Sequence, residues 1–326
     1  MQEFRYRQAK TMEGAVRSGG TYLAGGTTLV DLMQLNVLQP PLVVDVNPLP
    51  LAQVETLPGG GLRIGAMVRN SDLANHATVK QQYAVLSEAL LSGASPQLRN
   101  MATTGGNLLQ KTRCYYYRDV NYACNKRQPG TGCSAIDGYN RIHAVLGGSA
   151  ECVATHPSDM AVAMMALEAT VHTNGAGSGN AGGERAIALE RFYLLPGNTP
   201  EKETVLEPGE LITHVTLPAL ASGTSSHYLK LRDRAQYEFA LASAAVVVQL
   251  HGRRIHRVRI ALGGVGTRPW RSPEAERALE GREATTENFR KAADAAMEGA
   301  KPLKYNGFKI QLAKLALVRT LETTTA

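Results

Sequence analysis

Apolar residues recur along this chain with two different periods, one typical of helices and one typical of strands. Segments with the helical period are interleaved with segments that have the strand period. Recurrence of apolar residues every three or four positions predicts helices at residues 11–17, 29–35, 71–75, 83–91, 159–167, 288–296 and 308–321. Alternation, or a cluster of β-branched residues, predicts strands at residues 21–24, 42–46, 62–66, 169–172, 186–189, 228–231, 239–250 and 255–262. This mixture predicts an α+β fold.

A change of composition divides the pattern near residue 220. Residues 219–226 are mostly small, as in a linker, and separate the interleaved segments from a final run of strands followed by helices. A chain of 326 residues also has the length of two domains. We therefore expect a first domain over residues 1–220, with lobes at about 1–56 and 57–220, and a second α+β domain over residues 224–326.

Composition and charge exclude several classes of protein. With 44% hydrophobic and 19% charged residues, the chain is not mostly disordered. The net charge of +7 favours an acidic partner or a phosphate-bearing ligand, but no run of Lys and Arg is dense enough to predict a nucleic-acid partner. No apolar stretch is long enough to predict a membrane span, and the first residues lack the apolar core of a signal peptide. We expect a cytoplasmic location, or a periplasmic one through co-export with a partner that carries the export signal.

All four cysteines lie within 39 residues, with the spacing C-x9-C-x8-C-x18-C. They are Cys114, Cys124, Cys133 and Cys152. Two disulfides in one of three pairings would require an oxidising compartment. A structural zinc site usually contains a tighter C-x2–4-C pair. An iron–sulfur cluster is a larger cage and tolerates wider spacing. Spacing alone leaves these three alternatives open.

Two glycine pairs have the composition of loops that approach a phosphate. Gly25 and Gly26 follow a predicted strand and precede Thr27, Thr28 and a predicted helix. Glycines let backbone N–H groups approach an anion without obstruction by Cβ. A second Gly-Gly pair, at 105–106, follows two threonines and precedes an asparagine. The alternative for each loop is an ordinary tight turn with a threonine cap, but two such loops together predict a diphosphate site.

A formal GxGxxG pattern at residues 177–182 is not interpreted as a dinucleotide-binding motif. A charged pair and another strand pattern follow it, where a dinucleotide site requires the apolar start of a helix. We expect a hairpin loop there.

Seven motifs along the chain resemble, in sequence and in order, those of the FAD-binding medium subunits of the molybdenum hydroxylases. This is the family of xanthine dehydrogenase and carbon monoxide dehydrogenase. The motifs are AGGTTL at 24–29, QLRN at 97–100, ATTGGN at 102–107, PSD at 157–159, PGELI at 208–212, YLK at 228–230 and ALGGV at 261–265. The resemblance implies a two-lobed FAD-binding domain of the vanillyl-alcohol-oxidase (PCMH) type, followed by the α+β C-terminal domain of CO dehydrogenase flavoproteins.

The resemblance also implies which residues hold the cofactor. The two glycine loops would hold the FAD diphosphate, Asp159 would bind flavin-side hydroxyls, Ile212 would line the pocket, and Lys230 would lie near the isoalloxazine. The implied FAD-binding residues are Leu23, Ala24, Gly25, Gly26, Thr27, Thr28, Leu29, Ala102, Thr103, Gly106, Asn107, Asp159, Ile212 and Lys230.

Most members of the family lack the Cys-rich insertion, residues 108–155. It resembles the insertion that carries a [4Fe-4S] cluster in bacterial three-subunit aldehyde oxidoreductases, and the four cysteines are the implied ligands. The implied assembly pairs this chain with a small [2Fe-2S] subunit and a large molybdopterin subunit. An aldehyde would be oxidised on the large subunit, and electrons would pass through the [2Fe-2S] clusters and this FAD to an external acceptor.

Two alternatives of other classes remain at this point. One is a zinc-stabilised scaffold without flavin, which leaves both glycine loops unexplained. The other is a stand-alone flavin oxidase, which requires a substrate base. Neither His143 nor His214 is favoured as that base, because each is isolated and more typical of a surface or turn position.

Overall fold

The computed structural model describes residues 1–175 and 183–326. The hairpin loop predicted for residues 177–182 therefore lies outside the described residues. The strands are β1 (Arg5–Gln8), β2 (Thr21–Leu23), β3 (Leu42–Asp45), β4 (Val54–Thr56), β5 (Leu62–Gly65), β6 (Thr170–Asn174), β7 (Glu184–Ala188), β8 (Leu211–Leu217), β9 (Thr224–Leu231), β10 (Ala242–His251), β11 (Arg254–Gly263) and β12 (Trp270–Arg271).

The helices lie between and after these strands. They are α1 (Met12–Val16), α2 (Leu29–Gln34), α3 (Asn70–Asn75), α4 (Ala77–Gln82), α5 (Ala84–Ser92), α6 (Pro96–Met101), α7 (Thr104–Leu108), α8 (Tyr115–Arg118), α9 (Ser134–Asp137), α10 (Asp159–Ala166), α11 (Leu189–Phe192), α12 (Pro273–Leu279), α13 (Thr286–Ala296) and α14 (Phe308–Thr325). No helix among the described residues has both the length and the apolar character needed to cross a membrane.

The first sheet is parallel, with the order β1-β3-β2. Its strands are joined through α1 and α2, because parallel neighbours need a crossover rather than a hairpin. Val44 and Val46 are buried with Val16 of α1 in one apolar cluster. The carboxyl end of β2 leads directly into the first glycine loop, and ligands bind characteristically at that edge of a parallel sheet.

The second sheet is antiparallel and has the order β4-β5-β8-β6-β7. A core of apolar side chains, including the fully buried Tyr83, Phe192 and Leu62, lies between this sheet and helices α5 and α10. In α10 the three methionines at 160, 164 and 165 are all buried in this core, as the apolar pattern predicts.

The third sheet is antiparallel, with the order β12-β11-β10-β9. Helix α14 packs against β9 and β10, and α10 contacts β10 and β11, so this sheet is covered by helices from both parts of the chain. Val246, Ile260 and Leu317 are fully buried in its core. Lys230 projects from β9, which is paired with β10 and packs against α5 and α14.

Most long elements lie within a few residues of their predicted bounds, but three predictions are wrong in detail. Strand β9 begins at Thr224, inside the predicted linker, because pairing with β10 extends it. The helix predicted at residues 71–75 begins one residue earlier, at Asn70, and its N-cap Arg69 makes no side-chain hydrogen bond. Short helices such as α7, with five residues, were not predicted because fewer than two turns leave no periodic pattern.

Candidate functional site

The first glycine loop needs glycine at both positions. A Cβ added to Gly25 would lie 1.9 Å from the carbonyl oxygen of Met101. Gly26 has a φ of +74°, a conformation that glycine adopts without strain. The loop therefore presses against the chain that leads into the second glycine loop, and no side chain separates the two.

The second glycine loop is the start of helix α7. Thr103 caps the helix, and its Oγ1 accepts a hydrogen bond from the Gly106 N–H at 3.2 Å. The Asn107 Oδ1 accepts from the Ser158 hydroxyl at 2.5 Å, which ties the loop to the cap of α10. The structure thus brings together two loops about 80 residues apart in the sequence.

A cavity of about 1020 Å³ lies along both loops; we call it the glycine-loop cavity. Of the residues implied by the family resemblance, it is lined by Ala24, Gly25, Gly26, Thr27, Thr28, Leu29, Thr103, Gly106 and Ile212. Its wall combines threonine side chains and glycine backbone groups with apolar side chains such as Met67 and Leu108. Such a combination of a large concave site with a few convergent polar groups suits a cofactor with a charged diphosphate and an apolar ring.

A smaller cavity of about 240 Å³, the lysine cavity, lies beyond the loops. It is lined by Thr27, Thr28, Ala102, Gly106, Asn107, Asp159 and Lys230, among others. Thr27, Thr28 and Gly106 also line the glycine-loop cavity. A single elongated ligand could therefore extend from one cavity to the other. Leu23 lies at the end of β2 and lines neither cavity.

Asp159 and Lys230 form a buried ion pair in the lysine cavity. Their side chains are 10% and 3% exposed, and Lys230 Nζ lies 2.8 Å from Asp159 Oδ2. Lys230 also donates to the Ser92 carbonyl at 3.2 Å, and the Tyr228 hydroxyl donates to Asp159 Oδ1 at 2.5 Å. An ammonium has three N–H donors, and these contacts use two of the three on Lys230. Burial beside the Asp159 carboxylate raises the pKa of Tyr228 well above its usual value, so that hydroxyl keeps its proton and donates.

The structure brings all four cysteines into one apolar cluster. Three are buried, Cys133 is partly exposed, and all are free thiols. Cys124 and Cys133 face each other in an isolated antiparallel bridge. Burial raises the pKa of Cys114 to about 12 and that of Cys152 to about 11. Without a bound metal these thiols stay protonated, whereas a metal would favour the thiolate form.

Among residues 1–175 and 183–326, no group of three or more His, Cys, Asp or Glu side chains could hold a metal ion. The structure therefore gives no support to a zinc ion held by the four cysteines.

His143 is not the surface or turn residue that the sequence suggested. It is fully buried, and its Nε2 lies 3.1 Å from the Cys114 Sγ. Burial lowers its pKa to about 4, so it is neutral. The isolated position in the sequence concealed this contact, since Cys114 is 29 residues away. His214 lies in β8 and stacks on His172 at 4.2 Å. Neither histidine lies at the lysine cavity.

A buried lysine and an ion-pair network, both missed by the sequence analysis, attach the Cys-rich insertion to the rest of the chain. Lys309 of α14 is fully buried and donates to the carbonyls of Ile142 and His143 at 3.0 and 2.9 Å. Glu203 pairs with both Lys111 and Lys126 of the insertion. Although burial opposes ionisation, these two lysines hold the pKa of Glu203 below its usual value. No spacing in the sequence indicated these contacts, since each joins distant segments.

Fold and site together define a flavoprotein of the two-domain kind. Residues 2–220 match the family described as FAD binding domain in molybdopterin dehydrogenase, and residues 226–324 match the CO dehydrogenase flavoprotein C-terminal domain. The chain belongs to the family of FAD-binding medium subunits of the molybdenum hydroxylases, and it is an oxidoreductase subunit of the aldehyde oxidoreductase and CO dehydrogenase group.

Individual relatives agree with this assignment. The chain is 48% identical to the aldehyde oxidoreductase FAD-binding subunit PaoB of Escherichia coli, over 98% of both chains. It is 27% identical to the carbon monoxide dehydrogenase medium chain of Hydrogenophaga pseudoflava, over 90% of this chain and 84% of that one. A solved structure of that organism's carbon monoxide dehydrogenase superposes with a TM-score of 0.77, covering 99% of this chain and 97% of the other. The predicted α+β fold of this family is confirmed.

Proposed function

We propose that this chain is the FAD-binding electron-transfer subunit of a molybdenum-dependent aldehyde oxidoreductase. The observation that carries the proposal is the pair of glycine loops in contact along a cavity of about 1020 Å³, in a chain of this family. The aldehyde assignment comes from similarity to a relative named as an aldehyde oxidoreductase subunit. Electrons would enter from a small [2Fe-2S] subunit, after oxidation of the aldehyde on a large molybdopterin subunit.

The residues around the two cavities fit FAD. Gly25, Gly26, Thr27 and Thr28, with Thr103, Gly106 and Asn107, would bind the diphosphate, because they present backbone N–H groups and short polar side chains. Ile212, 4% exposed, would pack against an apolar part of the cofactor. Leu23, Ala24, Leu29 and Ala102 would shape the loops. When bound, FAD accepts a pair of electrons and releases them to another acceptor.

Asp159 and Lys230 would hold the flavin end of the cofactor. The third N–H of the Lys230 ammonium is available to a ring oxygen, and its charge would stabilise an anionic reduced flavin. Asp159 keeps acceptor capacity beyond the contacts with Lys230 and Tyr228, since a carboxylate has about four lone-pair sites. It would orient both Lys230 and the ligand's hydroxyls.

The domain boundaries are proposed to follow the three sheets. The parallel sheet would be the first lobe, residues 1–56. The five-stranded sheet would be the second lobe, residues 57–220, which carries the insertion at 108–155. The third sheet and helices α12–α14 would form the C-terminal domain, residues 224–326. The two family matches, which meet between residues 220 and 226, support the last of these boundaries.

The function predicts a bound flavin on the isolated chain. We expect about one FAD per chain after anaerobic purification, because both glycine loops and the cavity along them are formed by residues of this chain. The measurement is a visible spectrum with extracted flavin, iron and zinc determined on the same sample. A colourless chain that contains zinc and no flavin would favour the scaffold instead. A stand-alone oxidase would reduce its own FAD with an aldehyde in the absence of any partner.

We also propose that the four cysteines bind a [4Fe-4S] cluster. Neither family description names such a cluster, so the proposal rests on the cysteines themselves. Four free thiols share one largely buried apolar cluster, and the Lys126 ammonium, 11% exposed, favours negative charge on Cys152. Soft thiolates and nearby cations suit an iron–sulfur cluster.

Loss of one thiol tests this proposal. We expect Cys114→Ser or Cys152→Ser to remove most of the roughly four irons of one [4Fe-4S] cluster, because both side chains are buried in the cysteine cluster. FAD content, measured on the same sample, reports that the variant is folded. Gln128→Ala is the control, since this exposed residue lies in the same insertion. Unchanged iron in the Cys variants, or no iron in the unmodified chain, would refute the proposal.

A further inference from the structure

His143 is a buried histidine of the Cys-rich insertion to which the proposed function gives no role. Its side chain is fully buried, and its Nε2 lies 3.1 Å from the Sγ of Cys114. Cys114 immediately precedes helix α8, whereas His143 is 29 residues further along the chain. The contact is therefore made by the folding of the whole insertion around its cysteines, and not by a local turn.

Hydrogen bonds from the beginning of α14 and the loop before it fix the backbone of His143. The carbonyl of His143 accepts from the Lys309 ammonium at 2.9 Å and from the Asn306 side-chain amide at 3.2 Å. The His143 N–H donates to the Asn140 carbonyl at 3.0 Å. Lys309, Asn306 and Asn140 are fully buried. Burying polar groups is costly unless they are hydrogen-bonded, and the bonds that these residues make hold the imidazole against the sulfur.

The direction of the hydrogen bond between the imidazole and the sulfur follows from the other ring nitrogen. Nδ1 of His143 is buried and has no hydrogen-bond partner in the part of the chain that the structure describes. A proton on Nδ1 would therefore be a buried donor without an acceptor, which costs free energy. A thiolate that ligates iron offers lone pairs and no proton. Both arguments place the proton on Nε2, so that His143 donates and the Cys114 sulfur accepts.

We propose that His143 raises the reduction potential of the proposed [4Fe-4S] cluster by donating this hydrogen bond to the Cys114 ligand. Hydrogen bonds to the sulfurs are one of the factors that set the potential of an iron–sulfur cluster. One-electron reduction makes the ligand sulfur more negative, so an N–H donor stabilises the reduced state more than the oxidised state. His143 is a positioning residue that acts through Cys114, since the four cysteines fill the ligand positions. This inference rests on the proposed cluster.

The potential of the cluster matters because the cluster would adjoin the proposed flavin site. Cys152, another of the four cysteines, lines the glycine-loop cavity. How electrons divide between two neighbouring redox centres depends on the difference between their potentials. A residue that shifts the potential of the cluster therefore also shifts this division.

A potentiometric titration followed by EPR of the reduced cluster tests this role, on the full chain purified anaerobically with FAD. His143→Leu removes the donor and keeps a buried apolar side chain. We expect it to lower the ratio of reduced to oxidised cluster roughly tenfold at a given potential, which is a shift of about 59 mV for a one-electron couple. His143→Gln keeps a side-chain N–H donor and should restore most of the potential. A side chain that only filled space would leave the potential unchanged in both variants.

His251→Leu is the matched control, because it is the same substitution at an exposed histidine at the end of β10. We expect its cluster potential to equal that of the unmodified chain. Iron and FAD contents are measured on every sample, so that each potential is assigned to a chain that carries its cluster and its flavin.

A second measurement on the unmodified chain does not depend on whether a variant folds. The chain is labelled with ¹⁵N-histidine, and pulsed EPR of the reduced cluster detects nitrogen that is hydrogen-bonded to a ligand sulfur. We expect a weak ¹⁵N coupling, which His143→Leu abolishes and His251→Leu retains. No coupling in the iron-loaded chain, or an unchanged potential in an iron-loaded His143→Leu chain, would overturn the inference. An unmodified chain without iron refutes the proposed cluster itself, whereas the other two results refute only the role of His143.

Discussion

Gly25→Ala should lower the affinity for FAD by up to about a hundredfold, since overpacking costs up to about 3 kcal/mol and every 1.4 kcal/mol is roughly a factor of ten. The added methyl group would lie 1.9 Å from the Met101 carbonyl oxygen, 2.7 Å from its carbonyl carbon and 3.1 Å from Ala102 Cα. All three atoms belong to the backbone, which cannot turn aside as a flexible side chain can. The first glycine loop must then move away from the second, and the proposed diphosphate site opens.

The measurement is flavin fluorescence titration of the refolded or apo chain, with guanidinium unfolding to determine how much stability is also lost. Gly307→Ala is the matched control, because a methyl group there would meet only Pro302 Cβ at 3.7 Å. We expect that control to bind FAD like the unmodified chain. A folded Gly25→Ala protein with unchanged FAD affinity would show that the contact between the loops is not part of the binding site.

This contact also shows where sequence analysis reaches its limit. The motif AGGTTL predicted a phosphate-binding loop, and the second glycine pair, preceded by two threonines, strengthened the prediction of one diphosphate site. That Gly25 presses on Met101 depends on how two loops approach in space, and no local pattern contains that information. Residue types predicted the kind of site, whereas the packing between segments determines which glycine is indispensable.

The helices and the buried polar residues show the same contrast between what a local pattern predicts and what depends on contacts between distant segments. Helix α10 was predicted almost to its ends because residues 160–167 form an unbroken apolar run in the sequence. The burial of His143 could not be predicted from its isolated position in the sequence, since its contacts with Cys114 and Lys309 join segments that are far apart in the chain. Only the folding of the insertion against α14, through Lys309 and the carbonyl of His143, buries it. In the same way, Glu203 gains its partners from an insertion about 80 residues earlier.

Lys230→Met should destabilise the fold by roughly 3–5 kcal/mol, the usual cost of leaving one partner of a buried ion pair without its counterion. Methionine keeps most of the side-chain volume, so packing against Ser92 changes little. The Asp159 carboxylate, 10% exposed, would keep only the Tyr228 hydroxyl as a neutral donor. Since Lys230 is also the proposed cation at the flavin, the midpoint potential of bound FAD should fall.

A double-variant cycle separates the ion pair from packing. In Lys230→Met with Asp159→Asn, the amide needs no counterion and can still accept from Tyr228, so the double variant should be more stable than the sum of the two single effects predicts. Lys291→Met is the matched control. It breaks an ion pair with Glu287 whose side chains are 65% and 78% exposed, so no measurable loss of folding free energy is expected.

The free energies come from guanidinium unfolding, and the potential comes from a redox titration of the flavin absorbance. Additive single effects would mean that the two side chains are not coupled, and an unchanged flavin potential would remove Lys230 from the proposed flavin site.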